Sequence, residues 1–401
     1  MLATRLEFAP ERDEEFFASV PSAPAVFLLR SEDGSEPYVS KTADLRRRLR
    51  RLLGAAEERS RRLNLRQHTR LVEYTNTGSD FESGFVLYRL LRATFPKTYG
   101  DRLRLRFAPL VKLHLENEFP RASVTSRLGR LGGGSLYYGP FPSRSAAEKF
   151  ANDSLDFFKM RRCVDDLHPD PGFPGCIYSE MKMCLAPCFK GCTDEEYQVE
   201  VSRVKAYFDT GGESLLRELA DQREKASADL EFENAAAIHA RMEKVKPVLG
   251  QHPEIVRRID QLSGVLIQPS SQPDAVNLFR FDASCFSGPL VFTIQQQMVP
   301  GGKSQSMESR VLESLTAMPA SEAKTMLETM EHLALLKRWY YRSQRVGEIF
   351  FLDAKGTLPL RRIVRGISRV YRGEKAEPEP LPVSGTNQGG LHGSDHQPEN
   401  L

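Results

Sequence analysis

The sequence predicts a multidomain α+β protein, and three observations support this fold class. The chain has 401 residues, enough for two to four domains that each bury a core. Strand-like and helix-like patterns are mixed over the first 130 residues, whereas helical spacing alone runs through 194–248. Short strand patterns return after residue 264. We therefore expect a lead (1–20), an α/β domain (21–105), connecting strands with a cysteine-rich segment (106–200), a helical hairpin (201–250), an α+β domain (251–373) and a tail (374–401).

Local patterns place the individual elements. Residues 25–29 and 37–39 flank a polar turn and predict a β-hairpin. The other predicted elements are a strand at LVEYTNT, a helix over 81–95, strands at LVKLHLE and FPRASVT, a helix over 144–162, helices over 195–208 and 213–248 separated by Gly211-Gly212, strands at GVLIQP, AVNLFRF and PLVFTIQQQMV, one helix over 321–342 and a strand at GEIFFLD. The tail consists mainly of Pro, Gly and polar residues, so we expect it to be disordered.

The composition excludes a spanning membrane protein. Apolar residues make up 40% and charged residues 27% of the chain, and no apolar run approaches the roughly 18 residues that cross a bilayer. The opening segment MLATRLEFAPERDEEFF carries five acidic side chains and lacks the apolar core of a secretory signal. We therefore expect a soluble, cytoplasmic protein with no membrane partner.

The distribution of charge is more informative than its total. The net charge is only +3, yet residues 41–70 contain Lys41 and ten arginines against three acidic residues. Within this stretch Asp44 is a predicted N-cap, and the leucines of LRRRLRRLL fall at helical spacing, which turns the arginines outward. The basic face predicts either a solvated helix surface or contacts with DNA phosphates. The candidate DNA contacts are Arg46, Arg47, Arg50 and Arg51.

The cysteines form a tight group. Five of the six lie between residues 163 and 192, and Cys285 is isolated. In a cytoplasmic protein such grouping indicates a metal or iron-sulfur site, with reduced structural thiols as the alternative.

Several motifs follow one another in the order of a known family. The segments are AVF at 25–27, YVSK at 38–41, the basic helix and VEYTNTGSDFES. This run resembles the GIY-YIG nuclease domain of the C subunit of the UvrABC excinuclease. The resemblance continues through FPRASVTSR, YYGPFPS, the cysteine group and LEFENAAAIHARM, and so covers residues 20 to about 248.

The resemblance implies a DNA endonuclease that uses Mg²⁺ or Mn²⁺, but the catalytic motif is incomplete. Tyr38, Lys41 and Arg48 stand at matching positions, with Arg48 in the place of the transition-state arginine. Phe27 replaces a tyrosine, and Leu87 stands where the family has its metal-binding glutamate. A leucine cannot ligate Mg²⁺, which requires oxygen ligands. We therefore predict an impaired or inactive nuclease.

Glu82 is the alternative metal ligand. It precedes Leu87 by five residues, about 500° around a helix, so it points in a different direction.

The same resemblance implies an iron-sulfur cluster. The spacing of Cys163, Cys176, Cys184 and Cys188 is similar to that of the family segment that carries one, and four thiolates suit a [4Fe-4S] cluster. Zinc also accepts four thiolates and remains the alternative metal. Cys192 is a spare thiol that could substitute for Cys188.

Residues 226–242 look like the UVR motif through which excinuclease subunits pair, which implies a UvrB-like helicase partner. The apolar residues of this stretch cannot all be buried inside an isolated hairpin, so a partner or an adjoining domain must cover them. The candidate partner contacts are Leu230, Phe232, Glu233, Ala236 and Arg241. The alternative is a hairpin that packs on its own chain.

These features predict a nucleotide-excision-repair protein that binds DNA and cuts it weakly or not at all. A non-catalytic iron-sulfur adaptor that binds a helicase partner through the hairpin is the second hypothesis. The domain over 251–373 has no assigned role; its segment 338–342 mixes basic and aromatic residues, which suits either base stacking or an interfacial core.

Overall fold

The computed structural model describes residues 2–374 apart from 56–62, 165, 251–252, 296–304, 320, 322–324 and 354. The predicted tail from residue 375 onward lies outside the described residues, as do Arg59, Arg61 and Arg62. The described chain contains helices and three four-stranded sheets, in which every strand pair is antiparallel. The predicted α+β class is therefore confirmed. Among the described helices, none combines the length and apolar character needed to cross a bilayer.

The first sheet is built from β1 (Thr4–Glu7), β2 (Ala25–Arg30), β3 (Tyr38–Thr42) and β4 (Leu71–Asn76), in the order β1-β4-β2-β3. The helices α1 (Asp13–Ser19) and α2 (Leu45–Leu53) accompany it. The predicted β-hairpin is confirmed as β2 and β3. The lead segment was expected to precede this unit, but it contributes β1 to the sheet edge and two buried phenylalanines of α1 to the core.

Helix α2 forms as its sequence pattern predicts. All four leucines are buried, and the side chain of Asp44 caps the helix by accepting the backbone N–H of Arg47 at 2.9 Å. The burial of one face fixes which arginines face outward.

The second sheet contains β5 (Leu110–His114), β6 (Arg121–Thr125), β7 (Ser135–Gly139) and β8 (Arg257–Arg258), in the order β6-β5-β7-β8. The chain reaches it from β4 through α3 (Asp80–Thr94) and α4 (Tyr99–Leu103). The following helices are α5 (Arg144–Leu155), α6 (Ile177–Glu180) and α7 (Asp194–Asp209). Helix α5 ends seven residues before the predicted end at 162.

The helical hairpin differs from the prediction in where it turns. We expected one helix over 213–248, but α8 (Glu213–Ala228) and α9 (Phe232–Gly250) are separate and pack on each other. Leu230 between them adopts a left-handed conformation with φ of 61°. The backbone N–H of Glu231 donates to the carbonyl of Ala226 at 2.8 Å, which satisfies a carbonyl at the end of α8. The break at the two glycines is therefore present as predicted, and a second turn at 229–231 divides the predicted long helix.

The third sheet contains β9 (Gly264–Pro269), β10 (Ala275–Asp282), β11 (Cys285–Thr293) and β12 (Glu348–Phe351), in the order β11-β10-β9-β12. The prediction of one helix in this region is wrong. Three helices are present in the described residues: α10 (Met307–Ala317), α11 (Met326–Tyr340) and α12 (Leu360–Arg372).

The third sheet is covered on both faces. Helices α10 and α12 bury Val311, Ile363 and Ile367 against one face. The other face carries Phe279 and Phe286 into a large core that also contains residues of α3 and α11. Helix α3 therefore joins the first sheet to the C-terminal unit, which consists of the third sheet with α10, α11 and α12.

Candidate functional site

Two of the residues predicted to act on DNA lie together. Tyr38 is at the start of β3, and Arg48 is on the helix that packs beside it. The Arg48 Nη2 atom donates to the Tyr38 hydroxyl at 2.7 Å. The Arg48 Nε atom is buried and has no hydrogen-bond partner among the described residues. This nitrogen is therefore enclosed by the protein, and the half-buried guanidinium group is held against Tyr38.

Phe27 lies directly beneath this pair. Its side chain is fully buried, and its ring centre is 6.1 Å from that of Tyr38. It fills the core of the first sheet and has no polar atom to offer at the surface.

Lys41, the third predicted residue, contacts an acidic residue that the sequence did not single out. Its Nζ atom lies 2.6 Å from Oδ1 of Asp80, in the first turn of α3. The other oxygen, Oδ2, accepts Arg342 Nη1 at 2.5 Å from the end of the C-terminal unit's α11. Burial alone would raise the pKa of Asp80, but the hydrogen bond and charge of Lys41 and the charges of Arg342 and Arg338 hold that pKa below its usual range.

Glu82 is occupied within its own chain. It is 5% exposed, and its Oε2 atom accepts the backbone N–H of Gly78 at 2.7 Å. Asn277, on the third sheet, also hydrogen-bonds this carboxyl group. Burial raises the pKa of Glu82 to about 7. Glu82 therefore serves to join the start of α3 to the C-terminal unit.

Leu87 lies on α3 and is half-buried. Within the part of the chain that the structure describes, no group of three or more His, Cys, Asp or Glu residues is arranged to hold a metal ion.

The arginines of α2 fall into two kinds. Arg46 is held by the chain itself, since its Nε atom donates to the carbonyl of Val20 at 2.7 Å. The guanidinium of Arg50 lies over the ring of Phe17 at 5.7 Å. Arg47, Arg50 and Arg51 are exposed. The interpretation of Arg46 as a free DNA contact therefore does not fit its hydrogen bonds, whereas the other three predicted contacts are accessible.

The cysteine group is half-buried, and its members are free thiols. Burial, followed by the charges of Cys163, Cys188 and Cys176, raises the pKa of Cys184 to about 11, so these thiols lie within electrostatic reach of Cys184. The Arg161 Nη1 atom donates to Cys163 Sγ at 3.4 Å, and the backbone N–H of Ala186 donates to Cys184 Sγ at 3.3 Å.

N–H donors to sulfur stabilise thiolates, and thiolates are the ligand type that both iron-sulfur clusters and zinc accept. The described residues hold the thiols as neighbours and not as an assembled ligand set for a single ion.

The predicted partner surface is exposed at the tip of the helical hairpin. Leu230 and Phe232 are 72% and 66% exposed, and Glu233 and Ala236 are also exposed. Arg241 differs, because its Nη2 atom donates to the carbonyl of Phe157 in the same chain at 2.8 Å. The tip is thus available to a partner, while Arg241 anchors the hairpin.

The aromatic residues of 338–342 belong to the core. Trp339 is 6% exposed and donates from Nε1 to the carbonyl of Val346 at 2.8 Å. The Tyr341 hydroxyl donates to the carbonyl of Pro140 at 2.9 Å. Base stacking by these two rings does not fit their burial. The arginines of this segment, which sequence reasoning paired with the rings, face Asp80 instead.

Comparison with known proteins gives one family match. Residues 109–207 match the family model described as the UvrC/Cho excinuclease, middle domain. These residues include β5, β6, β7, the cysteine group and most of α7.

The chain is also similar to proteins named UvrABC system protein C. The one from Idiomarina loihiensis is 29% identical over 56% of this chain and 36% of its own length. The one from Moorella thermoacetica is 28% identical over 59% and 38%. The one from Carboxydothermus hydrogenoformans is 27% identical over 71% and 46%. The chain thus spans less than half the length of these relatives, and no solved structure matches it.

The buried Glu82 predicts a specific pH dependence of stability. Its pKa is about 7 in the folded chain against the usual 4.5, so between these values the folded state holds a proton that the unfolded state has lost. This carboxyl group therefore lowers the free energy of unfolding as pH rises from about 4.5 to 7, by at most about 3 kcal/mol. Relative to the wild type, Glu82→Gln should gain stability between pH 5 and pH 8 in urea unfolding.

The exposed Glu233 provides the control, because Glu233→Gln should change stability equally at the two pH values. A Glu82→Gln difference that is independent of pH would show that this carboxyl group is ionised at both.

Proposed function

We propose that this protein acts in nucleotide-excision repair as a DNA-binding relative of UvrABC system protein C whose GIY-YIG-like unit is impaired as a nuclease. The observation that carries the proposal is the direct contact of Arg48 with Tyr38, close to the exposed arginines of α2. The match of residues 109–207 to the excinuclease middle domain supports the assignment to repair.

Phosphate binding and phosphodiester cleavage depend on different residues of this unit. Arg48 is half-buried and contacts the Tyr38 hydroxyl, and a guanidinium group in this position can stabilise negative charge on a phosphodiester. Hydrolysis by the family mechanism also requires a divalent metal on the phosphate, held by a carboxylate oxygen. Leu87 offers none, and Glu82 is committed to Gly78 and Asn277. The surface therefore keeps the means to hold DNA and loses a ligand for the ion that would promote cleavage.

DNA binding should depend steeply on salt, and the exposed arginines should set that dependence. Each Lys or Arg that contacts a phosphate contributes about one unit to the slope of log affinity against log salt concentration. Arg47→Ala and Arg51→Ala should each lower the slope by about one unit, measured by fluorescence anisotropy with a labelled duplex.

Arg46→Ala is the matched control, since its side chain is used by the carbonyl of Val20. It should leave the slope unchanged at salt concentrations where the variant is folded. No effect of Arg47→Ala and Arg51→Ala on the slope would indicate that α2 is a solvated face, and an equal loss in Arg46→Ala would show that Arg46 also contributes to phosphate binding.

Cutting should be recoverable by restoring the missing carboxylate. Leu87 is half-buried at the surface of α3, so a glutamate can reach solvent there. Leu87→Glu should raise Mg²⁺- or Mn²⁺-dependent nicking of a damaged or bubble-containing duplex above the wild-type background. Adding Phe27→Tyr should raise it further by supplying the missing hydroxyl.

In this restored background Arg48→Ala should abolish the gain. A wild-type protein that already nicks DNA at a rate abolished by Arg48→Ala would contradict the proposed impairment. Glu82→Gln then shows whether that carboxylate has taken over as ligand.

The cysteine group is proposed to carry an iron-sulfur cluster held by Cys163, Cys176, Cys184 and Cys188, with zinc as the alternative. Bound there, the cluster would order the loops between α5 and α7. Anaerobically purified protein should be brown, and Cys184→Ser should remove the visible absorption.

Cys285→Ser is the control, because Cys285 lies on β11 and contacts Thr329 instead of the group. Colourless protein with stoichiometric zinc would replace the iron-sulfur assignment by zinc. Protein with neither metal would contradict both.

The second candidate function is an adaptor that binds a UvrB-like helicase and does not cut. The exposed tip of the α8–α9 hairpin favours it, because two large apolar side chains are left in solvent at one turn. The two candidates differ in the nicking experiment, since only the first allows cleavage to be restored.

Partner binding should depend on the ring of Phe232. Exposed aromatic side chains that become buried in an interface often contribute 2 kcal/mol or more, so Phe232→Ala should weaken binding to a UvrB-like helicase by about 30-fold in calorimetry. Val199→Ala, at a similarly exposed apolar residue on α7, should have no effect. Unchanged affinity in Phe232→Ala would remove the hairpin tip from the interface.

A further inference from the structure

The end of α11 is fixed in place next to the first sheet. The rings of Phe81 on α3 and Trp339 on α11 pack edge to face with centres 6.1 Å apart. Farther along α3, the Tyr88 hydroxyl donates to the buried Glu331 carboxylate at 2.9 Å. Because these contacts are buried, the position of α11 relative to α3 does not depend on surface charges. The core therefore holds the basic residues at the end of α11 beside the start of α3.

Three cations from two units surround one carboxylate. Lys41 comes from β3, and Arg342 follows α11, yet they contact the two oxygens of Asp80 at 2.6 and 2.5 Å. Arg338 lies one turn before Arg342, is exposed, and contributes its charge to the low pKa of Asp80. Lysine and arginine bind a phosphate group in a similar way, by donating to separate oxygens of the anion. The Asp80 carboxylate thus occupies the position of an anionic ligand.

The strength of these ion pairs indicates whether Asp80 is required to hold the units together or is a counter-ion that another anion can replace. The side chains of Lys41, Asp80 and Arg342 are 26%, 44% and 50% exposed. Ion pairs with this exposure typically contribute between 0 and about 1 kcal/mol each. The α3–α11 contact is already secured by buried rings, so it does not require them. A DNA backbone, with its high density of phosphates, can compete for such cations.

We propose that the C-terminal unit completes the DNA-binding site: Arg342 and Arg338 join Lys41 in binding a backbone phosphate, and Asp80 is the internal counter-ion that the phosphate displaces. This inference rests on the proposed DNA binding of the first unit and extends it to the 251–373 region. While it is bound to Lys41 and Arg342, Asp80 reduces their attraction for DNA. A phosphate that reaches both cations takes the place of the carboxylate.

The experiment compares variants of the full chain in duplex binding over a range of salt concentrations. Arg342→Ala should lower the slope of log affinity against log salt by about one unit. Asp80→Asn removes the competing charge and should raise the affinity several-fold at about 0.1 M salt, with a steeper slope. The double variant Asp80→Asn with Arg342→Ala should show a smaller increase in DNA affinity than Asp80→Asn alone.

Arg365→Ala is the matched control for net charge. Arg365 is exposed on α12, which covers the face of the third sheet opposite to α3 and α11. It should leave the slope unchanged. If Arg342→Ala behaves like Arg365→Ala, or if Asp80→Asn only lowers the urea midpoint and leaves affinity unchanged, Asp80 is a structural staple and the proposal is overturned.

The outcome also separates this inference from the proposed function. If Arg47→Ala lowers the salt slope and Arg342→Ala does not, the proposed DNA binding stands, but the contribution of the C-terminal unit to it is rejected. A wild-type protein with no salt-dependent DNA affinity rejects both.

Discussion

The packing of α3 against α11 is the constraint on which the rest of the structure depends. Helix α3 starts beside the first sheet, and its buried face is shared with the third sheet and α11. The contact includes polar groups that burial makes costly to leave unpaired: Tyr88 donates to Glu331, and His332 Nδ1 accepts the backbone N–H of Phe286 at 3.0 Å. Burial lowers the pKa of His332 to about 4, so this imidazole is neutral at physiological pH and able to accept that hydrogen bond.

This packing converts two distant parts of the sequence into one surface. Asp80 begins α3, and Arg342 follows the last turn of α11, so the helix pair sets the distance between them. Glu82 reinforces the arrangement from the other side, because it joins the Gly78 backbone to Asn277 of the third sheet. The C-terminal unit is therefore a structural part of the surface around Asp80 and Glu82.

The sequence predicted those features that depend on local periodicity. The four leucines of α2, its Asp44 cap and the β2–β3 hairpin follow from spacing and turn chemistry, and each was confirmed. The contact of Arg48 with Tyr38 joins two residues that the resemblance had placed at separate motif positions. The contacts of Asp80 with Lys41 and Arg342 could not be predicted, because the second spans 262 residues and depends on tertiary packing.

The missed helices have a similar explanation. Helix α12 contains Gly366, which weakens a helix by propensity and so hides it from pattern analysis. A Cβ at this position would meet the Phe350 ring at 2.5 Å, so the glycine permits the close approach of α12 to the sheet. The turn at Leu230 was missed for the converse reason: a non-glycine residue in a left-handed conformation is uncommon and is stabilised here by the end of α8.

A count of basic residues overstates the electrostatic surface of this protein. Arg66 is one of the ten arginines of the 41–70 stretch, yet its guanidinium contacts Asp13 at 2.5 Å and the carbonyls of Leu53 and Pro10. Arg46 is likewise used by a backbone carbonyl. These arginines hold the lead segment and α1 against the first sheet. Their guanidinium groups are therefore occupied by contacts within the chain and are not available to DNA phosphates. Each phosphate contact contributes separately to the slope of log DNA affinity against log salt concentration. That slope should therefore reflect the few accessible arginines, together with any cations supplied by α11. It should not reflect the number of arginines in residues 41–70.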